Sequence, residues 1–381
     1  MRTRPRRWPV VVSVLAADGR RWRLAEQVGQ GGEGVVFAVA DRPGLVAKLV
    51  PHPTDPAGHR ERIGRLVRRR REPHTARLLS GELGTLAWPL LAVRTVRGEG
   101  HGYLMADLRP RHQPLDRLLH AADRERHLPG ADWATALRAV AALAALVAAV
   151  HAEGYVVGDL KPGNVWVDGR GSVALSDLDS WQFADRGTLF ESRPRTPGYT
   201  APERIADPSA APTRSADDFV LAVLVHQVLM AGLHPFFGLP ADGGPYLSLD
   251  DNLRHGRCRL TDRRSVRLSE PLPPADLLPG AVRVLLRAAF GEAGRGSPAA
   301  RPTAADWSRV LGAELGPGRL RRCPAERRHV HTVERPWCPW CDLAGRGHHE
   351  YPAEAGAAGP APAPPRTVRP ARPPHSPGRS Q

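Results

Sequence analysis

Residues 29–34 narrow the fold of this chain more than any other stretch. Gly29, Gly31 and Gly34 give a G-x-G-x-x-G spacing, and Val35, Val36, Phe37 and Val39 follow at once. Glycine turns that close on a phosphate occur in two settings. In a dinucleotide-binding fold the last glycine opens a helix whose N-terminus meets the pyrophosphate. Here the β-branched and aromatic residues that follow favour a strand. The stretch reads as strand, glycine turn, strand: a hairpin whose tip, at Gly29, Gly31, Gly32 and Gly34, can cover phosphates.

The next segment, Leu45-Val46-Ala47-Lys48-Leu49-Val50, is a short apolar strand holding one charge. A charge in a buried strand is costly unless it is paired. Lysine is otherwise nearly absent: of 54 Lys and Arg residues, only Lys48 and Lys161 are lysine. An ammonium is a compact point charge that fits between phosphate oxygens, whereas arginine is a broad planar fork. Asparagine is as scarce, with Asn164 and Asn252, and Lys161 and Asn164 lie three residues apart. That juxtaposition points to a phosphate and metal site. Residues 57–72 carry Ile63, Leu66 and Val67 at helical spacing. Within them Glu61 is the candidate partner of Lys48, and Glu72 is the alternative.

Residues 87–108 read as two strands ending in Tyr103-Leu104-Met105-Ala106-Asp107-Leu108, and an alanine-rich helix follows over 133–151. After it come Gly158-Asp159-Leu160-Lys161-Pro162-Gly163-Asn164 and then Ser176-Asp177-Leu178-Asp179. Thr196-Pro197-Gly198-Tyr199-Thr200-Ala201-Pro202-Glu203, Asp217 before a long apolar helix, His234-Pro235-Phe236-Phe237-Gly238 and Arg301-Pro302-Thr303 complete the series. In this order, over roughly residues 20–315, these motifs resemble the eukaryotic-type (bacterial) serine/threonine protein kinase family. The resemblance implies an α+β, two-lobed protein-kinase fold, with an antiparallel β-rich N-lobe over about 20–106 and a mainly helical C-lobe over about 107–315. Residues 1–19 are left as a basic segment and a first strand.

The resemblance also implies a chemistry: transfer of the terminal phosphoryl group of ATP to Ser or Thr hydroxyls of protein substrates, with Mg²⁺. Such transfer needs alignment and charge neutralisation more than covalent help. Asp159 would orient the substrate hydroxyl and accept its proton, and Lys161 would neutralise the transferring phosphate. Lys48 would hold the α- and β-phosphates, and Asn164 and Asp177 would hold magnesium, which prefers oxygen ligands. Val36, Ala47, Met105, Asp107 and Leu108 would surround the nucleotide base, the last three at the connection between lobes. Glu203 and Arg301 look like a structural pair, and Asp217 like the anchor of the catalytic loop. Lysine two positions after Asp159, and Thr196, are similar to serine/threonine rather than tyrosine kinases.

Two departures stand out. Val157-Gly158 replaces the His-Arg pair ahead of the catalytic aspartate, so the arginine that would bind an activation-loop phosphate is missing. This non-RD pattern predicts activity that does not depend on phosphorylation at Thr188, Ser192, Thr196 or Thr200. Asp177-Leu178-Asp179 replaces Asp-Phe-Gly, which removes a glycine that permits a backbone flip. A pseudokinase scaffold that binds nucleotide or a partner without transfer is the alternative.

Behind this domain, residues 319–345 read as a small zinc module. Cys338 and Cys341 form C-x-x-C, a thiolate pair suited to tetrahedral Zn²⁺. Cys323 and His329 can complete the set, with His331 as the substitute. So short a segment cannot bury its own core, and a metal can organise it. The module resembles the zinc modules attached to some bacterial kinases, and its Trp337 and Trp340 suit protein docking. Residues 346–381 are rich in Pro and Ala and predict a disordered tail.

The formal net charge of +15 raises the question of nucleic acid. The arginines are scattered, and the run Arg68–Arg71 ends the expected helix, so the reading is a solvated face, with an acidic partner such as nucleic acid as the alternative. The longest apolar run, 139–150, is shorter than the roughly 20 residues of a membrane span, and reads as a buried helix. Four cysteines, three of them in one short window, fit a reducing compartment and a cytoplasmic location. The basic, valine-rich start continues into a strand pattern rather than into a leader peptide.

Overall fold

The computed structural model describes residues 13–31, 34–50, 53–81, 83–96, 100–245, 247–262, 264–268 and 272–352. Four strands open the chain: β1 (Ser13–Ala16), β2 (Arg21–Gln30), β3 (Val35–Val39) and β4 (Leu45–Val50). With strands His101–Ala106 and Leu91–Thr95 they close into an antiparallel barrel, β1 pairing with both β2 and Leu91–Thr95. Among the described residues the β-rich lobe already includes Ser13–Ala16, ahead of the expected start at about 20, because β1 supplies the strand that closes it. Val14, Val35, Phe37, Ala47, Leu49 and Leu104 fill its interior.

Helix α1 (Pro56–Arg69) packs beside the barrel. Asp55 caps it by accepting the Gly58 N–H at 2.9 Å, and Pro56 occupies the first turn, where its missing donor costs nothing. Ile63 and Leu66 are the buried stripe.

The second lobe is built on the twenty-residue helix Trp133–Ala152. Asp132 and Thr135 form a reciprocal capping box at its start. It is long and apolar enough to cross a membrane, but most of it is buried against the helices Arg214–Leu229 and Ala304–Glu314. It is a core helix. A small sheet lies above it in the order Thr85–Leu86, Val173–Leu175, Val165–Val167, Gln113–Pro114.

The cysteine-rich segment is not a free-standing module. Val330, Trp340, Leu343 and Tyr351 join the core of the helical lobe. Arg328 makes two bonds of 2.5 and 2.6 Å to Glu125, and Arg335 bonds Asp276 at 2.7 Å. The core that so short a segment lacks is borrowed from its neighbour. The expected disorder from residue 346 is likewise corrected: Tyr351 is buried, edge-on to Trp340 at 4.7 Å and under the Arg124 guanidinium. The rest of the expected tail, and the basic segment 1–12, lie outside the described residues.

Candidate active site

Strand pairing sets the first half of the site. Val36 stands opposite Lys48, and Lys48 opposite Tyr103. Side chains alternate along a strand, so Val46 and Lys48 share the face turned to the second lobe, while Ala47 points into the barrel. Val46 joins Met105, Leu108, Ala174, Val28, Val36 and Trp166 in one apolar cluster between the lobes. Ala47 belongs to the barrel interior instead. Ala47, expected beside the base, therefore points away from the interlobe cluster, and Val46, which shares the parity of Lys48, takes that place.

Gly31 and Gly34 close the hairpin through Gly31 N–H donating to Gly34 O at 2.9 Å. A Cβ on Gly34 would stand 2.6 Å from Leu49 O, so the strand approach demands glycine there. A Cβ on Gly29 would meet Val36 in ordinary contact. Gly32 lies outside the described residues. Asp107 serves its own turn: its carboxylate accepts from Arg109, and its N–H donates to Gly44 O at 2.9 Å. Arg109 overcomes the cost of burial and holds this carboxyl below its usual range.

The second half comes from one hairpin. Val165–Val167 pairs antiparallel with Val173–Leu175, Val165 opposite Leu175. The residue before the first strand and the residues after the second are thereby neighbours, and Ser176 N–H donates to Asn164 O at 3.0 Å. That is why Asn164 and Asp177, thirteen positions apart, arrive together. Asp177 itself takes a left-handed backbone at φ 65°, a conformation aspartate tolerates better than most residues.

Asp159 is buried at the centre. Lys161 Nζ donates to its carboxylate at 2.5 Å and Thr196 Oγ1 at 2.8 Å, while Asn164 Nδ2 donates to its carbonyl at 2.9 Å. The loop is held from below by Asp217, whose carboxylate accepts the N–H groups of Val157 and Gly158 at 2.7 and 2.8 Å and faces His151. Glu203 and Arg301 form a two-bond pair at 2.9 and 2.7 Å.

Lys48 is buried and donates to the carboxylates of Asp177 and, at 2.7 Å, Asp179. Burial alone would lower this ammonium, but the two carboxylates outweigh it and keep it charged. Asp179, fully buried, is nonetheless pulled below the usual carboxylate range by Lys48 and by the Tyr103 hydroxyl.

The expected glutamate partner is corrected. Glu61 is half exposed and bonds Arg65 at 3.3 Å, and Glu72 lies near Arg69. Residues two apart on a helix point about 200° from each other. His59 and Ile63 face inward, so Glu61 points away from Lys48, onto the open cleft where Arg65 bonds it. Sequence reading missed Asp179; its signal was a carboxylate where a kinase carries glycine.

An open cleft of about 740 Å³ runs from the hairpin tip (Gly31, Gly34) past His59 and Arg62 to Asp179 and residues 188–194. Behind the second lobe, ligand atoms of Cys323, His329, Cys338 and Cys341 all lie within 4.8 Å of one another. His331 turns away, its Nδ1 2.9 Å from Thr332 O.

Residues 93–255 match the protein kinase domain family model. The chain is 30% identical over 342 residues to Protein kinase YegI of Escherichia coli O157:H7, covering 88% of this chain and 51% of that one. It is 31% identical over 233 residues to Serine/threonine-protein kinase PkaB of Streptomyces coelicolor, covering 58% of this chain and 51% of that one. The chain thus spans about half the length of these relatives, 51% in each case. A rhoptry antigen kinase domain of Toxoplasma gondii is similar at a TM-score of 0.49 and 17% identity, over 80% of this chain and 86% of that one. The matched domain and both relatives are protein kinases by name, and the match over residues 93–255 takes in Asp159, Lys161, Asn164 and Asp177 but not Lys48.

Proposed function

We propose that the chain transfers the terminal phosphoryl group of ATP to Ser and Thr hydroxyls of protein substrates, as a signalling kinase of the bacterial cytoplasm. One observation carries this reading: the Asp159 carboxylate, fixed by Lys161 and Thr196, lies in the same interlobe site as buried Lys48 and Asp177. Phosphoryl transfer asks for that combination of a carboxylate to align and deprotonate a hydroxyl and cations to hold phosphate oxygens.

Each residue has a task that its surroundings support. Asp159 takes the hydroxyl proton while Lys161, on the same carboxylate, offers charge to the moving phosphoryl group. Lys48, buried between the lobes, holds non-transferring phosphates. Asn164 and Asp177 would hold magnesium, whose contribution is to neutralise phosphate charge. Their donor set fits it: Asp177 keeps a quarter of its side chain accessible, and the Asn164 amide nitrogen is committed to Asp159, leaving its oxygen as ligand atom. The apolar cluster of Val28, Val36, Val46, Met105 and Leu108 suits a purine ring.

Zinc is the metal that suits the cysteine cluster. A tetrahedron with the usual zinc–sulfur and zinc–nitrogen bond lengths sets ligand atoms roughly 3.5–3.8 Å apart. Cys323 and Cys341 sulfurs lie 3.7 Å apart, and His329 Nδ1 lies 3.3 and 3.6 Å from the sulfurs of Cys341 and Cys338. Trp337, exposed beside Arg335, suits a protein partner docking on this face.

The test is labelled-phosphate transfer from ATP to the chain itself and to generic protein acceptors, comparing wild type with Asp159→Ala and Lys48→Met. Transfer abolished in both variants supports the reading. ATP bound with no transfer by wild type favours the scaffold.

A further inference from the structure

Kinase-like sites need their strand lysine held in place, and here helix α1 supplies nothing to hold it. Its single carboxylate, Glu61, lies half exposed on the open cleft and bonds Arg65, not Lys48. Of its inward-facing residues, Arg62 donates to the carbonyls of Trp181 and Glu191. The carboxylates that do meet Lys48, Asp177 and Asp179, differ in two ways. The Asp177 side chain is 24% exposed, whereas that of Asp179 is 3% exposed. Asp179 is also fixed from a second side, by Tyr103 Oη at 2.7 Å on the same oxygen that Lys48 uses.

This arrangement is built into the fold. Lys48 and Tyr103 are cross-strand neighbours, so their polar ends emerge side by side. Asp179 sits in a tight turn, Leu178–Ser180, pinned by a Trp181 N–H to Leu178 O bond of 3.1 Å and by the complete burial of Leu178. An accessible carboxylate can turn to a cation, whereas an inaccessible one, bonded on two sides, cannot leave without stranding a buried ammonium and a buried hydroxyl.

We infer that Asp179 is the positioning residue for Lys48, doing from the segment after Asp177 what a helix carboxylate would otherwise do, and leaving Asp177 available to metal. This rests on the phosphoryl-transfer reading, but it can be tested apart from it. With only two lysines in the chain, protein grown with ¹⁵Nζ-lysine gives at most two ammonium signals, assigned with Lys48→Met and Lys161→Arg.

In nucleotide-free wild type near neutral pH, the Lys48 ammonium is expected to be protected from solvent exchange and to give a ¹H–¹⁵N cross-peak. The peak should persist in Asp177→Asn and vanish in Asp179→Asn. Tyr103→Phe, a milder change that removes only the hydroxyl, should raise the exchange rate without unfolding the chain. In transfer assays Asp179→Asn is expected to lower kcat and raise KM for ATP, with kcat/KM falling by about a hundredfold. Four results would overturn the inference: no Lys48 peak in wild type, a peak kept in Asp179→Asn, a peak lost in Asp177→Asn, or unchanged or increased transfer by Asp179→Asn. If wild type transfers no phosphate, the proposed function fails and the Lys48 signal still decides the role of Asp179.

Discussion

Arg65 of helix α1 forms a 2.8 Å ion pair with Asp185, in the segment between Asp179 and Ala201, and both side chains are largely buried. It is one of three arginines on the helix that grip this segment. Arg62 bonds the carbonyls of Trp181 and Glu191, and Arg69 bonds that of Ala184 at 2.7 Å. Arg204 adds bonds to Gly158 O and Pro194 O. Fixed guanidinium groups already supply the anchoring that a phosphate would otherwise recruit. Single alanine substitutions at Thr188, Ser192 and Thr200 are therefore expected to leave labelled-phosphate transfer within a few-fold of wild type. A double-mutant cycle on Arg65→Ala and Asp185→Ala is expected to give a coupling of about 1 kcal/mol in urea unfolding. A single essential phosphosite, found by mass spectrometry, would remove this idea.

The Glu203–Arg301 pair is a second place where charge is committed to structure. Arg301 has no accessible side-chain surface, and besides Glu203 it bonds Gly294 O and Ser215 O. Burial pushes the Glu203 carboxyl up, but Arg301 holds it below its ordinary value. Removing the carboxylate leaves a buried guanidinium partly unpaired. Glu203→Ala is expected to cost about 3–5 kcal/mol in urea unfolding, with ATP affinity at permissive temperature unchanged. Loss of ATP binding in a fully folded Glu203→Ala would contradict a structural role.

What the sequence made legible is what period and order control. Scarce residue types drew the eye to Lys48, Lys161 and Asn164, the ordered motifs that resemble the kinase family named Asp159 and Asp177 beside them, and these five meet between the lobes; the C-x-x-C spacing located the cysteine cluster. What escaped depends on direction and on distant surface. Spacing alone does not choose between Glu61 and Glu72, and the phase of α1 that turns His59 and Ile63 inward turns Glu61 away from Lys48 to Arg65. Ala47, expected at the nucleotide, is sent into the barrel by its parity. Tyr351 was placed in a disordered tail because its neighbours in sequence are Pro and Ala. Its burial comes from Trp340 and Arg124, which no local pattern reveals.

Buried histidines give the stability a defined pH dependence. Burial lowers His226 to about 3 and His234 to about 4, despite their bonds to Leu233 O and Gly198 O. Unfolded histidine titrates near 6.5, so below that value the unfolded chain takes up protons the folded chain refuses. Their contribution to stability is full above about 6.5 and is lost as pH falls toward 4, at about 1.4 kcal/mol per pH unit for each histidine. Asp218 acts in the opposite sense. Burial raises it to about 6, so between 6 and its unfolded value the folded chain binds the extra proton and gains stability as pH falls. Two against one, the net of these groups is destabilisation by acid. In urea unfolding at pH 7.0 and 5.0, the loss for wild type is expected to exceed that of His226→Gln by about 2 kcal/mol. Equal losses would mean that His226 is charged inside the fold.

Removing the metal should reach the body of the protein. Trp340 donates to Val330 O at 2.6 Å and, with Leu343 and Tyr351, belongs to the same core as the helix Trp133–Ala152. A ligand that binds the folded cluster better than the unfolded cysteines stabilises everything that unfolds with it. Purified protein is expected to carry one zinc per chain by mass spectrometry under native conditions. Chelation, or Cys341→Ser, should release it and lower the Tm by about 5 °C, with a matching change in tryptophan emission. The two histidines separate the ligand set. His329 Nδ1 lies among the sulfurs, so His329→Asn should lose zinc, whereas His331 is turned to Thr332 O and His331→Asn should keep it. Zinc retained by His329→Asn and lost by His331→Asn would reassign the fourth ligand. No zinc in any preparation, with the Tm indifferent to chelator, would leave the cluster to thiol chemistry.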